Sequence, residues 1–133
     1  MNKSEVVSFW LESAQEDWEF AVEIWKSGKR LYNALFFAQL ALEKTLKALH
    51  YHKKEDHPLL THDLVLLSKK IGLDLDKETL VDLGEISLFN INARYDDYKY
   101  TFKRKATPEF VRKWMNRAKE IRNYILGFLE DRP

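Results

Sequence analysis

The stretch INARYDDYKYTFKRK, residues 91–105, gathers the side chains of this chain best suited to chemistry on an anion. Between Arg94 and Lys105, five basic residues (Arg94, Lys99, Lys103, Arg104 and Lys105) stand against Asp96 and Asp97, a local excess of three positive charges. Tyr95, Tyr98, Tyr100 and Phe102 are interleaved with them. Cationic groups neutralise phosphates and aromatic faces stack on bases, so the mixture suits single-stranded RNA or a nucleotide. Arg94, Tyr95, Tyr98, Lys99, Tyr100, Lys103 and Arg104 are the candidate contacts. The plainer reading is a connector whose tyrosines pack on the body of the protein while its lysines stay in water. The two aspartates also count against a pure phosphate cradle.

A second candidate group lies upstream. Gln39 and Glu43 are four apart, on the same side of a helix as Phe36, in an otherwise apolar segment. A buried carboxylate needs a partner. Glu43 is therefore read either as such a buried group, able to pair with and position Arg94, or as an exposed-edge residue paired with Lys47. Arginine suits such a place because its fork pairs bidentately, as lysine cannot.

Other chemistry is disfavoured. His50, His52, His57 and His62 fall close together, but His50 and His52 are two apart and point to different faces of a helix. Without cysteine or HExxH spacing, no metal site and no cofactor is expected. His62, in THDL, is read as serving a helix start. There is no glycine-rich phosphate loop and no GxSxG nucleophile elbow.

The elements that must carry these residues are helical. Ser4 is the expected cap of a first helix closed by Gly28, with Val7, Trp10, Ala14, Trp18, Ala21 and Trp25 on one stripe. Three tryptophans in a row suggest core more than a stacking surface. Residues 32–53 are apolar nearly all round, the mark of a central helix. Thr61 starts a short third helix ending at Gly72, and Asp76 starts a fourth. The fourth carries Leu80, Leu83, Ser87, Ile91 and Arg94 as its expected inward seam. Thr107 with Pro108 opens a fifth, with Val111, Trp114, Ala118, Ile121, Ile125 and Phe128 on one face. No segment alternates with period two. The expected fold is all-α, an antiparallel bundle of four long helices plus one short one, in a single domain over 1–133.

Composition limits the rest. The 22 basic and 21 acidic residues leave a formal net charge of +1, which excludes a whole-molecule polycation; any nucleic-acid role must be local. The lack of cysteine, of a leader-like apolar start and of a membrane-length apolar run leads to a cytoplasmic, membrane-free expectation.

The order of the pieces resembles the HEPN domain family: YNALFFAQLALEKTLKALHYH on the second helix, then THDLVLL and NARYDDY at matching later places. The resemblance implies a helical bundle that forms a homodimer and that acts as an RNase, a toxin, or the partner of a small nucleotidyltransferase in a toxin–antitoxin system. RNase members follow a helix-end arginine, four to six residues on, with a histidine. Together the two promote attack by an RNA 2′-hydroxyl without metal. Arg94 matches the arginine. The histidine has no match, since positions 99, 100 and 101 are Lys, Tyr and Thr and no histidine follows His62. An imidazole is the group suited to proton transfer near neutral pH. The resemblance therefore implies a binding or partner module without the usual Arg/His activity. The alternatives are a metal-independent endoribonuclease using Arg94 with a substituted acid or base, and a purely structural dimeric adaptor. The family's tyrosine beyond the histidine, modified by partner nucleotidyltransferases in some systems, has only Tyr98 and Tyr100 nearby.

Overall fold

A computed structural model describes residues 2–130, and among these six helices account for the secondary structure. The first two helices form a long hairpin. Helix α1 (Lys3–Ser27) is capped by Asn2, whose side chain accepts from Glu5 N at 2.9 Å; the cap lies two residues before the expected Ser4. Gly28 closes α1 in the left-handed region at φ 71°, where a side chain would be strained. The small residues Ala14 and Ala21, with Val7, are buried, so α1 lies close against its neighbour. Trp10, Trp18 and Trp25 flank that line, half-buried and packed against the core. The tryptophan stripe is thus core-facing, at the margins rather than the centre.

Helix α2 (Tyr32–Lys54) is the axis of the bundle. It touches α1, α3, α4 and α6, and from Ala34 to His50 most of its side chains are buried. Leu35, Leu42, Leu46 and Leu49 are wholly enclosed, as its unbroken apolar character requires. Helix α3 (Leu64–Ile71) starts at Asp63, which accepts from Val65 N and Leu66 N; Thr61 and His62 lie outside it. Helix α4 (Lys77–Arg94) is capped by Asp76, as expected, through Thr79 N at 2.7 Å.

Helix α5 (Thr101–Lys105) is a single short turn inside the segment expected to be a connector, so the bundle has two short helices, not one. Helix α6 (Pro108–Glu130) begins where the Thr107–Pro108 signal places it, with Thr107 Oγ1 accepting from Phe110 N at 3.2 Å. Its buried face is Val111, Trp114, Met115, Ala118, Ile121, Ile125 and Leu129.

The inward seam of α4 needs correction. Leu83, Ile86, Phe89 and Asn90 are buried, whereas Ile91 and Arg94 are exposed. The cause is aromatic. Phe89 packs edge-on against Trp114 at 5.6 Å between ring centroids and lies 5.8 Å from Phe102. Seating that ring turns the helix so that the Ser87–Ile91–Arg94 line faces outward along the flank.

Candidate functional site

Two groups of polar residues meet at the C-terminal half of α4. The first is the segment from Arg94 to Lys105. Asp96 folds its carboxylate onto the backbone, accepting from Asp97 N at 2.9 Å, Phe102 N at 3.0 Å and Lys103 N at 3.1 Å. Asp97 accepts from Lys99 N at 3.0 Å, Thr101 N at 3.1 Å and Thr101 Oγ1 at 2.6 Å. The two acids that counted against a phosphate site are therefore turned into the frame of the loop and the cap of α5. Tyr100 enters α5 in the left-handed region, at φ 56°.

With the acids so engaged, the cations are left over. Among the described residues, none of Arg94, Lys99, Lys103, Arg104 and Lys105 makes an ion pair. Several lie on aromatic faces instead. Lys103 Nζ sits 4.8 Å from the Tyr100 centroid and 5.0 Å from that of Tyr32; Lys99 covers Tyr98, Lys105 covers Phe110 and Arg94 covers Tyr95. Phe102 is the one aromatic of the segment that is buried; Tyr95, Tyr98 and Tyr100 are exposed, Tyr98 by 86%. A solvated connector was expected to pack its tyrosines on the bundle. This one packs Phe102 and turns the tyrosines outward.

The second group is centred on Glu43, which is both buried, at 5% exposure, and paired with Lys47. Lys47 Nζ donates to Oε2 at 2.9 Å, and His62 Nδ1 lies 2.7 Å from Oε1. Gln39 Nε2 donates to Oε1 at 3.2 Å and to His62 O at 3.0 Å. Asn90 Nδ2 in turn donates to Gln39 Oε1 at 2.8 Å. As a carboxylate only accepts, His62 Nδ1 must carry the proton of that contact, and in the neutral ring Nε2 keeps its lone pair.

Two expectations change here. His62 does not serve the helix start; Asp63 caps α3 and His62 is tied to α2 through Glu43. Nor does Glu43 position Arg94 by direct pairing, because its oxygens are occupied by Lys47, His62 and Gln39. Arg94 instead folds back along α4, its Nε donating to Asn90 O at 3.4 Å, and so meets the Glu43 group at second hand through Asn90 and Gln39. Sequence reasoning missed Asn90 and His62 as members of this group. Asn90 had a signal, a polar residue amid the apolar face of α4; His62 had none short of knowing how the α2–α3 loop returns.

His62 also lines a groove of about 630 Å³ between the loop before α3 and the flank of α4. Its walls include Leu60, Val65, Gly84, Ser87, Leu88 and Ile91.

The family model for the HEPN domain matches residues 7–128. The chain belongs to the HEPN domain family. Its HEPN fold is also that of a solved structure, TT1696 from Thermus thermophilus, at 21% identity and a TM-score of 0.77, over 91% of this chain and 96% of that one. No curated protein matches the chain. Among the described residues, no helix of this HEPN domain is long and apolar enough to cross a membrane, and no three His, Asp or Glu side chains group to hold a metal ion.

Residues 100 and 101, which follow Arg94 within the spacing at which a histidine was sought, have structural work of their own. Thr101 is tied to Asp97, and Tyr100 forms the left-handed entry to α5. Both aspartates lie below their ordinary carboxylate range. For Asp96, desolvation is the largest single influence and acts upward, but the amides of Phe102, Lys103 and Asp97 together outweigh it; for Asp97 the Thr101 hydroxyl and amide dominate. A depressed folded pKa contributes stability that is present above the ordinary value of 3.8 and is lost as pH falls through the folded pKa. The 95–105 segment of this HEPN domain should therefore loosen below about pH 4, before the bundle unfolds. Amide exchange of Phe102 and Lys103 followed from about pH 6 to about pH 3 checks this; protection that persists unchanged to the acid end contradicts it.

Proposed function

We propose that this HEPN domain is a nucleotide- or RNA-binding module that uses the Arg94–Lys105 face and lacks the usual Arg/His cleavage. One observation supports it above others: Asp96 and Asp97 turn their carboxylates onto the loop's own amides and the Thr101 hydroxyl, so among the described residues none of the neighbouring cations forms a close ion pair, and Arg94, Lys99 and Lys103 lie beside outward-facing tyrosines. Such a surface can neutralise phosphates and offer rings for stacking without reading sequence by hydrogen bonds. The absence of an imidazole at 99–101 removes the group that would move protons there.

Two copies are proposed to pair around the Arg94-bearing ends, which would put two basic faces side by side. The exposed Tyr95, Tyr98 and Tyr100 supply the aromatic surface for such a contact or for stacked bases. A small nucleotidyltransferase, as in a toxin–antitoxin pair, is the proposed protein partner, on the strength of family membership alone. Light scattering at micromolar concentration should give twice the mass of the 15.9 kDa chain; a monomer mass would remove the dimer.

The test of the function is fluorescence anisotropy with a labelled single-stranded RNA across a salt series, beside a cleavage assay in EDTA. Binding should weaken linearly in a log–log plot as salt rises, with the RNA intact. No binding at low salt would leave the face a connector. EDTA-resistant cleavage abolished by Arg94→Ala would make the domain a nuclease instead.

A further inference from the structure

We infer that Tyr32, the first residue of α2, is a specificity-determining member of the Arg94–Lys105 face. With Tyr100 it makes a two-ring slot that Lys103 fills from within, and an unpaired base must displace that ammonium to stack there. This assignment rests on the RNA-binding reading above and adds to it a preference for single strands over duplex.

The slot is set by the backbone around it. Asp96 accepts from the amides of Phe102 at 3.0 Å and Lys103 at 3.1 Å, and Tyr100 holds the left-handed conformation at φ 56°. Phe102 turns inward onto Phe89, 5.8 Å away between ring centroids. Lys103, the next residue, reaches instead to the start of α2. Its Nζ lies 4.8 Å from the Tyr100 centroid and 5.0 Å from that of Tyr32. Tyr100 is exposed and Tyr32 half-buried, so both rings stand at the surface. Arg94 on Tyr95 and Lys99 on Tyr98 follow the same habit with one ring each. The Lys103 slot differs in having two, one of them carried by the central helix and not by the loop.

An ammonium is held on a ring face by the ring's quadrupole, and a base that stacks on that face takes its place. The displaced Lys103 is then free for the strand's phosphate, a charge-assisted partner stronger than the ring it left. One unpaired nucleotide therefore compensates both losses. A duplex keeps its bases stacked inside and offers phosphates alone, so drawing Lys103 out would leave both rings facing water. Charge by itself favours the opposite order, because a double helix carries the denser phosphate charge. A preference for the single strand is thus the mark of the rings.

The test is NMR of the lysine side chains in the full chain, beside anisotropy with a labelled RNA of about twelve nucleotides, single-stranded or annealed to its complement. In the free chain the Lys103 ε-methylene protons should lie upfield of lysines that cover no ring, and Tyr32→Leu should return them part of the way. Saturating single strand should release the shielding, and saturating duplex should leave it. Tyr32→Leu should weaken single-strand binding about tenfold and leave duplex binding unchanged. Tyr32→Phe, which keeps the ring, should bind both as the parent chain does. Tyr100→Gly, which keeps the left-handed conformation without strain, should show the same selective loss as Tyr32→Leu. A merely structural Tyr32 would weaken both forms of RNA alike. Equal losses for single strand and duplex, or a bound strand with Lys103 still shielded by both rings, overturn the assignment and leave the binding reading standing. An unshielded Lys103 in the free chain overturns it as well. No binding of either form at low salt overturns the binding reading, and the slot with it.

Discussion

Replacing Lys99, Lys103 and Arg104 together by alanine should lower affinity for single-stranded RNA by roughly 100-fold at moderate salt, at about 1 kcal/mol per lost phosphate contact. The slope of log affinity against log salt should become shallower by about two, because each contact to a single strand releases about 0.7 of a counterion. The fold should be indifferent to the change. All three side chains are exposed and, among the described residues, none makes a close ion pair, and substitutions of that kind move stability by only about 0.5 kcal/mol. The anisotropy series therefore reads binding alone. An unchanged slope would show that the phosphates lie elsewhere, with Arg112 and Lys113 at the start of α6 the next cations to replace.

The largest effect on stability is expected at Glu43. Glu43→Ala removes the centre of a network in which Lys47 is almost fully buried, leaving its ammonium without a counter-charge in the core. Breaking a buried pair from one side costs about 3–5 kcal/mol, a large part of the roughly 5–15 kcal/mol that holds a domain of this size. Glu43→Leu combined with Lys47→Met should recover much of that loss, since removing both charges spares the desolvation of either. Urea unfolding of the parent chain and both variants measures the two expectations. A loss below about 1 kcal/mol for Glu43→Ala would mean that water already reaches Lys47 and that the network is not a buried one.

Most of the bundle could be read from the chain because its signals are local. Gly28, Gly72, Asp76 and the Thr107–Pro108 pair each act within one helical turn, and each is where the helices end or begin. The caps at Asn2 and Asp63 differ by two residues from the expected ones because each place offers two good capping side chains two positions apart, Asn2 and Ser4 at one and Thr61 and Asp63 at the other. The facing of α4 escapes the sequence for a different reason. Its apolar residues are spread round the helix, and only the packing of Phe89 among Phe102, Phe110 and Trp114 chooses which side turns in. The site divides in the same way. The basic and aromatic make-up of 94–105 is visible in the letters, but that Asp96 and Asp97 would serve the backbone depends on the loop's path. Glu43 was recognisable as a carboxylate in need of a partner and Lys47 as one within reach at i+4; that His62 is a second depends on a contact spanning nineteen residues.

The Gln39–Glu43–His62–Asn90 cluster also bears on the order in which the chain assembles as it folds. The α1–α2 hairpin needs only a short turn to form and is the sort of local structure that assembles early. The cluster cannot, because Asn90 reaches Gln39 across fifty-one residues and only after α4 has docked on α2. Contacts of that range are made at the cost of closing long loops, so they arrive with the last stage of collapse. An intermediate holding only the hairpin would therefore have its helices but neither an oriented imidazole nor a seated Arg94. On the proposed binding reading, competence to bind would arrive only with completion of the fold.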